Sequence, residues 1–142
     1  METEDAGINL YLRYYKEGAL KRGYNFELTP EDFVSIISKN CYYCGDSPRE
    51  HNFTARSLSK KKYTIIANGI DRFDNDKGYN LENCVPCCTT CNVMKNNLSY
   101  RDFKLHINKI YNNIAKKGST TISKESAPKQ VEKGELLQNK ME

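Results

Sequence analysis

The fold is predicted chiefly from two short stretches, Cys41-Tyr42-Tyr43-Cys44-Gly45 and Cys88-Thr89-Thr90-Cys91. Each stretch places two cysteines three positions apart, which is the spacing of a zinc knuckle, where a tight turn directs two thiolates at one ion. Two such pairs complete a tetrahedral ligand set. The sequence therefore predicts a structural zinc ion on Cys41, Cys44, Cys88 and Cys91. A closed site of four thiolates leaves no open position, so this zinc would not be the catalyst.

The second cysteine pair has a competitor with the same spacing. Cys84 and Cys87 are also three positions apart, and Cys87 directly precedes Cys88. A helix expected to begin between Cys88 and Cys91 favours the later pair, and Cys84 and Cys87 would then be small buried side chains. The spacing alone leaves both pairs open.

Composition predicts a small core and a basic folded region. Of the 142 residues, 38% are hydrophobic, and the mean hydropathy is −0.76, so we expect a metal to contribute to stability. Residues 6–117 carry 18 basic and 11 acidic side chains, a net charge of +7. This charge suggests a polyanionic partner, although a solvated lysine-rich surface would show the same composition.

The start of the chain and the absence of long apolar runs predict an intracellular protein. Residues 1–6 include Glu2, Glu4 and Asp5, which is unlike a secretory signal. No apolar run approaches the roughly 18 residues of a membrane span. We therefore expect no membrane partner and a reducing compartment, in the cytoplasm or in a host cell if the protein is viral. In such a compartment paired cysteines are interpreted as metal ligands in preference to disulfide partners.

The residue pattern predicts helices around a small strand–loop–strand–helix unit. Thr29 and Pro30 are typical of the start of a helix, and Ser99 with Asp102 resembles a capping box. The apolar residues of 100–117 repeat at helical spacing, so we expect one face of that helix to pack on the domain. The predicted segments are a helix at 7–22, a helix after Thr29, a polar irregular segment at 46–62, a strand at 63–73, a turn-rich loop at 74–83, a short strand at 84–88, a helix from 89 or 90 to 95, and a final helix at 100–117.

Three stretches in this order resemble the HNH endonucleases that have a zinc-bound ββα-metal core. They read CYYCG at 41–45, NGIDRFDNDKGYNLEN at 68–83 and CCTTCNVMKNN at 87–97. Residues 6–33 also resemble the helical lead-in of many phage and viral members, and the resemblance covers roughly residues 8–112. It implies an α+β fold with a small ββα-metal core and flanking helices.

The resemblance also implies a division of the chain. We expect a helical lead-in at 1–38, the nuclease domain with its C-terminal helix at 39–117, and a disordered polar tail at 118–142.

The same resemblance implies a second, catalytic metal site. Asp71 falls on the position of the family's metal-binding aspartate, and Asn92, directly after the last zinc cysteine, falls on the second ligand position. Oxygen ligands of this kind suit Mg²⁺ or Mn²⁺. Asn83 falls on the asparagine that holds the active-site loop in place.

The sequence departs from the family at Arg72, where a histidine is expected. An arginine stays protonated and cannot act as a general base. Asp-Arg followed by Tyr79 resembles a histidine-less branch of the family that includes some restriction endonucleases, in which Arg72 would grip the phosphate while Tyr79 or the metal handles the water. Tyr79 could instead pack in the loop. His51 and His106 have no ligand spacing to the knuckles.

The resulting prediction is a metal-dependent DNA endonuclease that hydrolyses phosphodiester bonds, with Zn²⁺ as structural ion and Mg²⁺ or Mn²⁺ as catalytic ion. Lys60, Lys61, Lys62 and Lys95 are candidate DNA contacts. Because Arg72 replaces the expected histidine, the chain could instead be a non-catalytic zinc-stabilised module that binds nucleic acid. A zinc-stapled protein-interaction module is a third alternative. Cutting two strands often takes two copies, so a homodimer is compatible with the sequence, although no interface is visible.

Overall fold

The computed structural model describes residues 4–117, so the predicted disordered tail at 118–142 lies outside the described residues. Residues up to His106 belong to one compact unit, and a second unit begins at Ile107, within the last helix. In chain order the elements are α1 (Glu4–Lys21), α2 (Pro30–Ile37), β1 (Arg49–Thr54), β2 (Lys62–Ala67), β3 (Gly69–Arg72), β4 (Cys84–Cys87), α3 (Thr89–Lys95) and α4 (Tyr100–Lys116). Within this range no helix combines the length and the apolar character that crossing a membrane requires.

The start of α2 follows from local capping chemistry. The Thr29 hydroxyl accepts a hydrogen bond from the Asp32 backbone N–H, and the Asp32 carboxylate accepts one from the Thr29 N–H, each at 3.1 Å. Pro30 occupies the first turn, where no backbone donor is needed. The predicted helix start after Thr29 is therefore confirmed. The buried side chains of α2 are Phe33, Ile36 and Ile37.

A β-hairpin occupies much of the region predicted to be irregular. β1 pairs antiparallel with β2, with His51 opposite Ile65, so the prediction of an irregular segment over all of residues 46–62 is wrong. β1 reads REHNFT and is exposed except at His51 and Phe53, which are half-buried. The polar sequence of β1 does not predict a strand, because the apolar side chain that packs against α1, Ile65, belongs to its pairing partner β2.

The single strand predicted at 63–73 is two strands in two different sheets. The break falls at Asn68, which is 2% exposed and lies between β2 and β3. Its side-chain amide donates to the carbonyl oxygens of Lys39 and Asp46 at 2.8 and 3.3 Å, and its N–H donates to Ile37 at 2.7 Å. These bonds to distant backbone groups turn the chain from one sheet into the other.

The site is carried by a ββα motif that consists of β3, β4 and α3. β3 and β4 form an antiparallel pair, with Asp71 opposite Val85 and Arg72 opposite Cys84. α3 follows β4 almost at once, with Cys88 as its N-cap, as predicted for a helix that begins between the second pair of zinc cysteines. The α+β fold class with a small ββα core is thus present.

The last helix, α4, begins at the predicted cap. The Ser99 hydroxyl accepts a hydrogen bond from the Asp102 N–H at 3.1 Å, and Phe103 is 3% exposed. The apolar residues from Ile107 onward, which belong to the second unit, are between 40% and 65% exposed in this structure. The prediction that this apolar face packs on the domain therefore holds at Phe103, and for the positions from Ile107 onward it stays a prediction.

Candidate active site

Four cysteine sulfurs meet at one point between the knuckle and the start of α3. The Sγ atoms of Cys41, Cys44, Cys88 and Cys91 all lie within 4.8 Å of one another, and those of Cys44 and Cys88 are 3.7 Å apart. Four thiolates around a tetrahedral zinc ion, with Zn–S bonds of about 2.3 Å, would lie roughly 3.8 Å apart. The cluster therefore fits a closed zinc site. Cys88 and Cys91, not Cys84 and Cys87, complete it.

Backbone N–H groups prepare one of these sulfurs for a metal. Burial raises the pKa of the Cys41 thiol, but the N–H groups of Cys44, Cys88 and Tyr43 outweigh it and lower that pKa to about 6. A thiol with this pKa is largely a thiolate at neutral pH, which is the form that binds metal. Burial also raises the pKa of Cys84, to about 12, and the pKa of Cys91, so the positions of the sulfurs and not these pKa values distinguish the ligands from Cys84.

Asp71 lies in β3, close to the cysteine cluster, and is 7% exposed. Its Oδ2 atom accepts a hydrogen bond of 2.6 Å from the Tyr43 hydroxyl and lies 3.1 Å from Nζ of Lys95. Burial, and then the bond to Asp71, raise the pKa of Tyr43 above its usual range. Tyr43 therefore stays a hydrogen-bond donor, and the carboxylate is held through Oδ2 while Oδ1 is left for another ligand.

Lys95 lies inside the protein. Its side chain is 0% exposed, and besides Asp71 its ammonium contacts Asn75 Oδ1 at 3.2 Å and the Arg72 carbonyl oxygen at 3.5 Å. A lysine side chain with no exposed surface cannot contact a DNA phosphate in this structure. The prediction that Lys95 contacts the DNA backbone therefore has to be corrected: Lys95 is the buried counterion of Asp71.

Asn92 lies in the first turn of α3, half-buried, and lines the same cleft as Asp71. The cleft has a volume of about 970 Å³, and β1, β3, α3 and the end of α1 all contribute to its wall. A carboxylate oxygen and a side-chain amide oxygen on one cleft are donors that Mg²⁺ or Mn²⁺ accepts, with water and phosphate completing the shell. The residues present fit such an ion.

Arg72 follows Asp71 and faces the cleft in a fixed position. Its Nη1 atom donates to the carbonyl oxygens of Asn75 and Lys77 at 2.7 and 2.8 Å. The guanidinium lies over the ring of Tyr24, with Cζ 3.5 Å from the ring centroid, a stacked arrangement that arginine favours. These contacts use one edge and one face of the guanidinium, so the charge is held at the cleft wall before any substrate arrives.

Tyr79 is 5% exposed and both packs in the loop and lines the cleft. Its oxygen accepts a hydrogen bond of 2.8 Å from Nη2 of Arg22, at the end of α1. The backbone of Tyr79 is fixed by the segment after α1, through bonds of 2.8 Å with Asn25 and Glu27. Gly78 permits this approach, because a Cβ there would lie 2.7 Å from the Asn25 oxygen.

Asn83 holds the loop between β3 and β4 closed. Its Oδ1 accepts from the Asp74 N–H at 2.9 Å, and its Nδ2 donates to the carbonyl oxygens of Asp74 and Gly78 at 3.1 and 3.0 Å. The side chain is buried. Asn83 therefore acts on the loop that supplies the backbone acceptors of Arg72.

Several residues of the cleft were not foreseen. Arg22 and Tyr24 contact Tyr79 and Arg72 from the segment around the end of α1, and no local pattern in the sequence marks either of them. Tyr43 was also missed: it is not among the residues described as lining the cleft, but from inside the knuckle its hydroxyl donates to Asp71. His51 also lines the cleft, with Nε2 donating to the Ala67 carbonyl oxygen at 2.9 Å.

Lys60, Lys61 and Lys62 lie at the end of the hairpin and are exposed. Lys60 has a positive φ of 48°, which marks the turn that leads into β2. None of the three is among the residues described as lining the main cleft. A contact between these lysines and DNA would therefore fall outside the cleft.

The comparisons with known proteins agree with this architecture. The structure resembles that of the rare-cutting HNH restriction endonuclease PacI, with a TM-score of 0.52 and 24% identity, over 78% of this chain and 81% of that one. At this identity the likeness shows the fold, so the chain has the fold of an HNH endonuclease, and the predicted fold class is confirmed. No family model matches the chain.

A curated relative comes from a virus. Residues of this chain are 42% identical over 93 positions to "Uncharacterized protein R423" of Acanthamoeba polyphaga mimivirus. The match takes in 66% of this chain but only 14% of the length of that relative. The relative agrees with the expected likeness to viral proteins.

Proposed function

We propose that this chain is a divalent-metal-dependent DNA endonuclease that hydrolyses phosphodiester bonds. The observation that carries the proposal is that Asp71 and Asn92, on β3 and α3 of an HNH fold, line one cleft together with Arg72. The four-cysteine cluster supports this arrangement because it joins the knuckle to the start of α3. Zinc on that cluster would be structural, since all four positions around it are filled by sulfur.

Asp71 and Asn92 would hold Mg²⁺ or Mn²⁺ in this proposal. Such an ion supplies positive charge to the phosphate oxygens and to the leaving 3′ oxygen. Asp71 suits the role because Tyr43 and Lys95 fix its Oδ2 atom. Asn92 suits it because the N-terminal turn of α3 fixes its backbone, with its N–H donating to Cys88 at 3.0 Å.

Arg72 and Tyr79 would act on the substrate from the cleft wall. Arg72 keeps a guanidinium edge for a phosphate oxygen, and bidentate contacts of this kind are among the stronger hydrogen bonds. The Tyr79 oxygen already accepts from Arg22, so its own O–H is available to donate and to orient the attacking water. Since neither Arg72 nor a neutral phenol can take up a proton, the water's proton would pass to bulk solvent, and a bound divalent cation would supply the acidification that this transfer needs.

DNA binding would rest on charge outside the cleft as well. Residues 6–117 carry a net charge of +7, and Lys60, Lys61 and Lys62 extend that charge along the exposed hairpin. Phosphate contacts position the protein and carry no sequence information. An intracellular location, in a host cell if the protein is viral, and a homodimer that cuts both strands belong to the same proposal.

Incubation of the zinc-loaded protein with supercoiled plasmid tests the proposal. We expect conversion to the nicked form with Mg²⁺ or Mn²⁺ and none with EDTA at concentrations that leave the zinc bound. Asp71→Ala and Asn92→Ala should each lower the rate by a hundredfold or more, since charge stabilisation is the largest contribution to such reactions. Zinc content and far-UV circular dichroism serve as the controls for folding.

The outcome separates the alternatives. DNA binding without nicking under any metal condition would refute the proposal and support the non-catalytic module. Absence of salt-dependent DNA binding would support the protein-interaction module. Nicking by Asp71→Ala at the parent rate would show that the proposed metal ligand is wrong.

A further inference from the structure

The two charged side chains buried in the described part of the chain are a pair. Among residues 4–117, Asp71 and Lys95 are the charged residues that are less than a tenth exposed. Burying a charge is costly unless it is paired and hydrogen-bonded, and these two lie 3.1 Å apart. Asp71 is also the proposed ligand of the divalent cation. A positive charge is therefore built into the protein next to the carboxylate that the cation needs.

The position of Lys95 is set from several directions. Asn92 and Lys95 are three residues apart in α3, so both lie on one face of that helix. The ammonium is further held by Asn75 Oδ1 and the Arg72 carbonyl oxygen. With three acceptors and no exposed surface, it is not free to swing into solvent when a second cation approaches Asp71.

We propose that Lys95 is a positioning residue that couples metal binding to DNA binding. Its ammonium cancels most of the negative charge of Asp71, so the DNA-free protein binds a divalent cation weakly. A DNA phosphate in the cleft supplies the missing negative charge and completes a site that holds the cation firmly. This inference rests on the proposed metal-dependent cleavage, because it concerns the same carboxylate.

The chemistry of the pair predicts the direction of each effect. Lys95 orients the carboxylate through Oδ2, which favours metal binding, and repels the cation, which opposes it. The repulsion outweighs the orientation because Tyr43 also donates to Oδ2, at 2.6 Å, and keeps the carboxylate in place when Lys95 is changed. Two like charges a few ångströms apart in a partly buried site interact strongly, so removal of the ammonium should tighten cation binding by at least about tenfold.

Electron paramagnetic resonance of Mn²⁺ measures this without any cleavage. The concentration of unbound Mn²⁺ is measured while the DNA-free zinc protein is titrated, for the parent, Lys95→Met and Tyr43→Phe. We expect Lys95→Met to bind Mn²⁺ at least tenfold more tightly than the parent. Tyr43→Phe removes the other bond to the same oxygen without changing charge, so we expect a change of less than threefold. Equal affinity for the parent and Lys95→Met, or equal tightening by both variants, would overturn the proposal.

The parent protein provides a second test that does not depend on the folding of Lys95→Met. Mn²⁺ affinity is measured with and without mixed-sequence duplex DNA, and Asp71→Ala with the same DNA corrects for Mn²⁺ bound by the duplex itself. We expect the DNA to tighten the Asp71-dependent site by at least tenfold. An affinity that DNA leaves unchanged, in a protein that does nick plasmid, would refute the coupling alone. No Asp71-dependent binding in either condition would refute the proposed metal site and the coupling with it.

Discussion

Replacement of Asn83 by alanine gives the sharpest test of how the active-site loop is held. The change removes three hydrogen bonds of 2.9, 3.1 and 3.0 Å to the backbone of Asp74 and Gly78. Each such bond contributes about 0.5–1.5 kcal/mol net, and a buried partner left unpaired costs more. Asp74 and Gly78 are half-buried, so water can reach part of the site. We therefore expect a loss of about 2–4 kcal/mol in the free energy of unfolding, summed from these bonds.

Urea denaturation of the zinc-loaded protein measures that loss. Asn9 is an exposed asparagine of α1, and Asn9→Ala should change the stability by less than about 0.5 kcal/mol, as surface substitutions usually do. Asn83→Asp keeps the acceptor for the Asp74 N–H but turns an acceptor toward two carbonyl oxygens, so it should be no better than Asn83→Ala.

The same variant has a functional readout. The loop supplies both backbone acceptors of Arg72, at Asn75 and Lys77. Nicking by Asn83→Ala should therefore fall at least tenfold further than the folded fraction. If Asn83→Ala costs less than about 1 kcal/mol and retains parent activity, the loop is held by contacts other than these three bonds.

Two further predictions concern the zinc ligands and the hairpin. Cys44→Ser should lose the bound zinc and unfold cooperatively at a lower urea concentration. Cys84 is a buried cysteine outside the cluster, so Cys84→Ala should keep one zinc per chain by elemental analysis. Loss of zinc from both variants would contradict the ligand set. Replacing Lys60, Lys61 and Lys62 together by alanine should reduce the slope of log K for DNA against log salt by up to about 0.9 for each phosphate that these lysines neutralise in the parent protein. Lys39→Ala should leave that slope unchanged, and an unchanged slope in the triple variant would remove the hairpin lysines from the interface.

The elements that the sequence predicted well are those with local causes. α2 begins where the Thr29 hydroxyl accepts from the Asp32 N–H, the Asp32 carboxylate accepts from the Thr29 N–H, and Pro30 has no N–H to satisfy. These groups are neighbours in sequence. The cysteine pairs are likewise local turns, and only their meeting is a long-range event. β1 could not be foreseen in this way, because a polar strand at a sheet edge takes its register from a partner, here β2.

The errors at the site have the same physical origin. A lysine on a short helix is usually exposed, and nothing in the sequence around Lys95 shows that Asp71, Asn75 and the Arg72 carbonyl surround it. The contact of Arg22 with Tyr79 joins segments 57 residues apart. Asp71 and Asn92 were identified by resemblance to a family; both line one cleft, and the ion pair of Lys95 with Asp71 joins α3 to β3.

Anomalous diffraction from crystals of the zinc protein, soaked with Mn²⁺ in the presence of duplex DNA, would locate the catalytic ion. Data collected at the manganese edge distinguish this ion from the zinc on the cysteines. We expect one manganese peak within coordination distance of both a carboxylate oxygen of Asp71 and the side-chain oxygen of Asn92. A peak that contacts only one of these residues, or no peak in the cleft, would contradict this expectation.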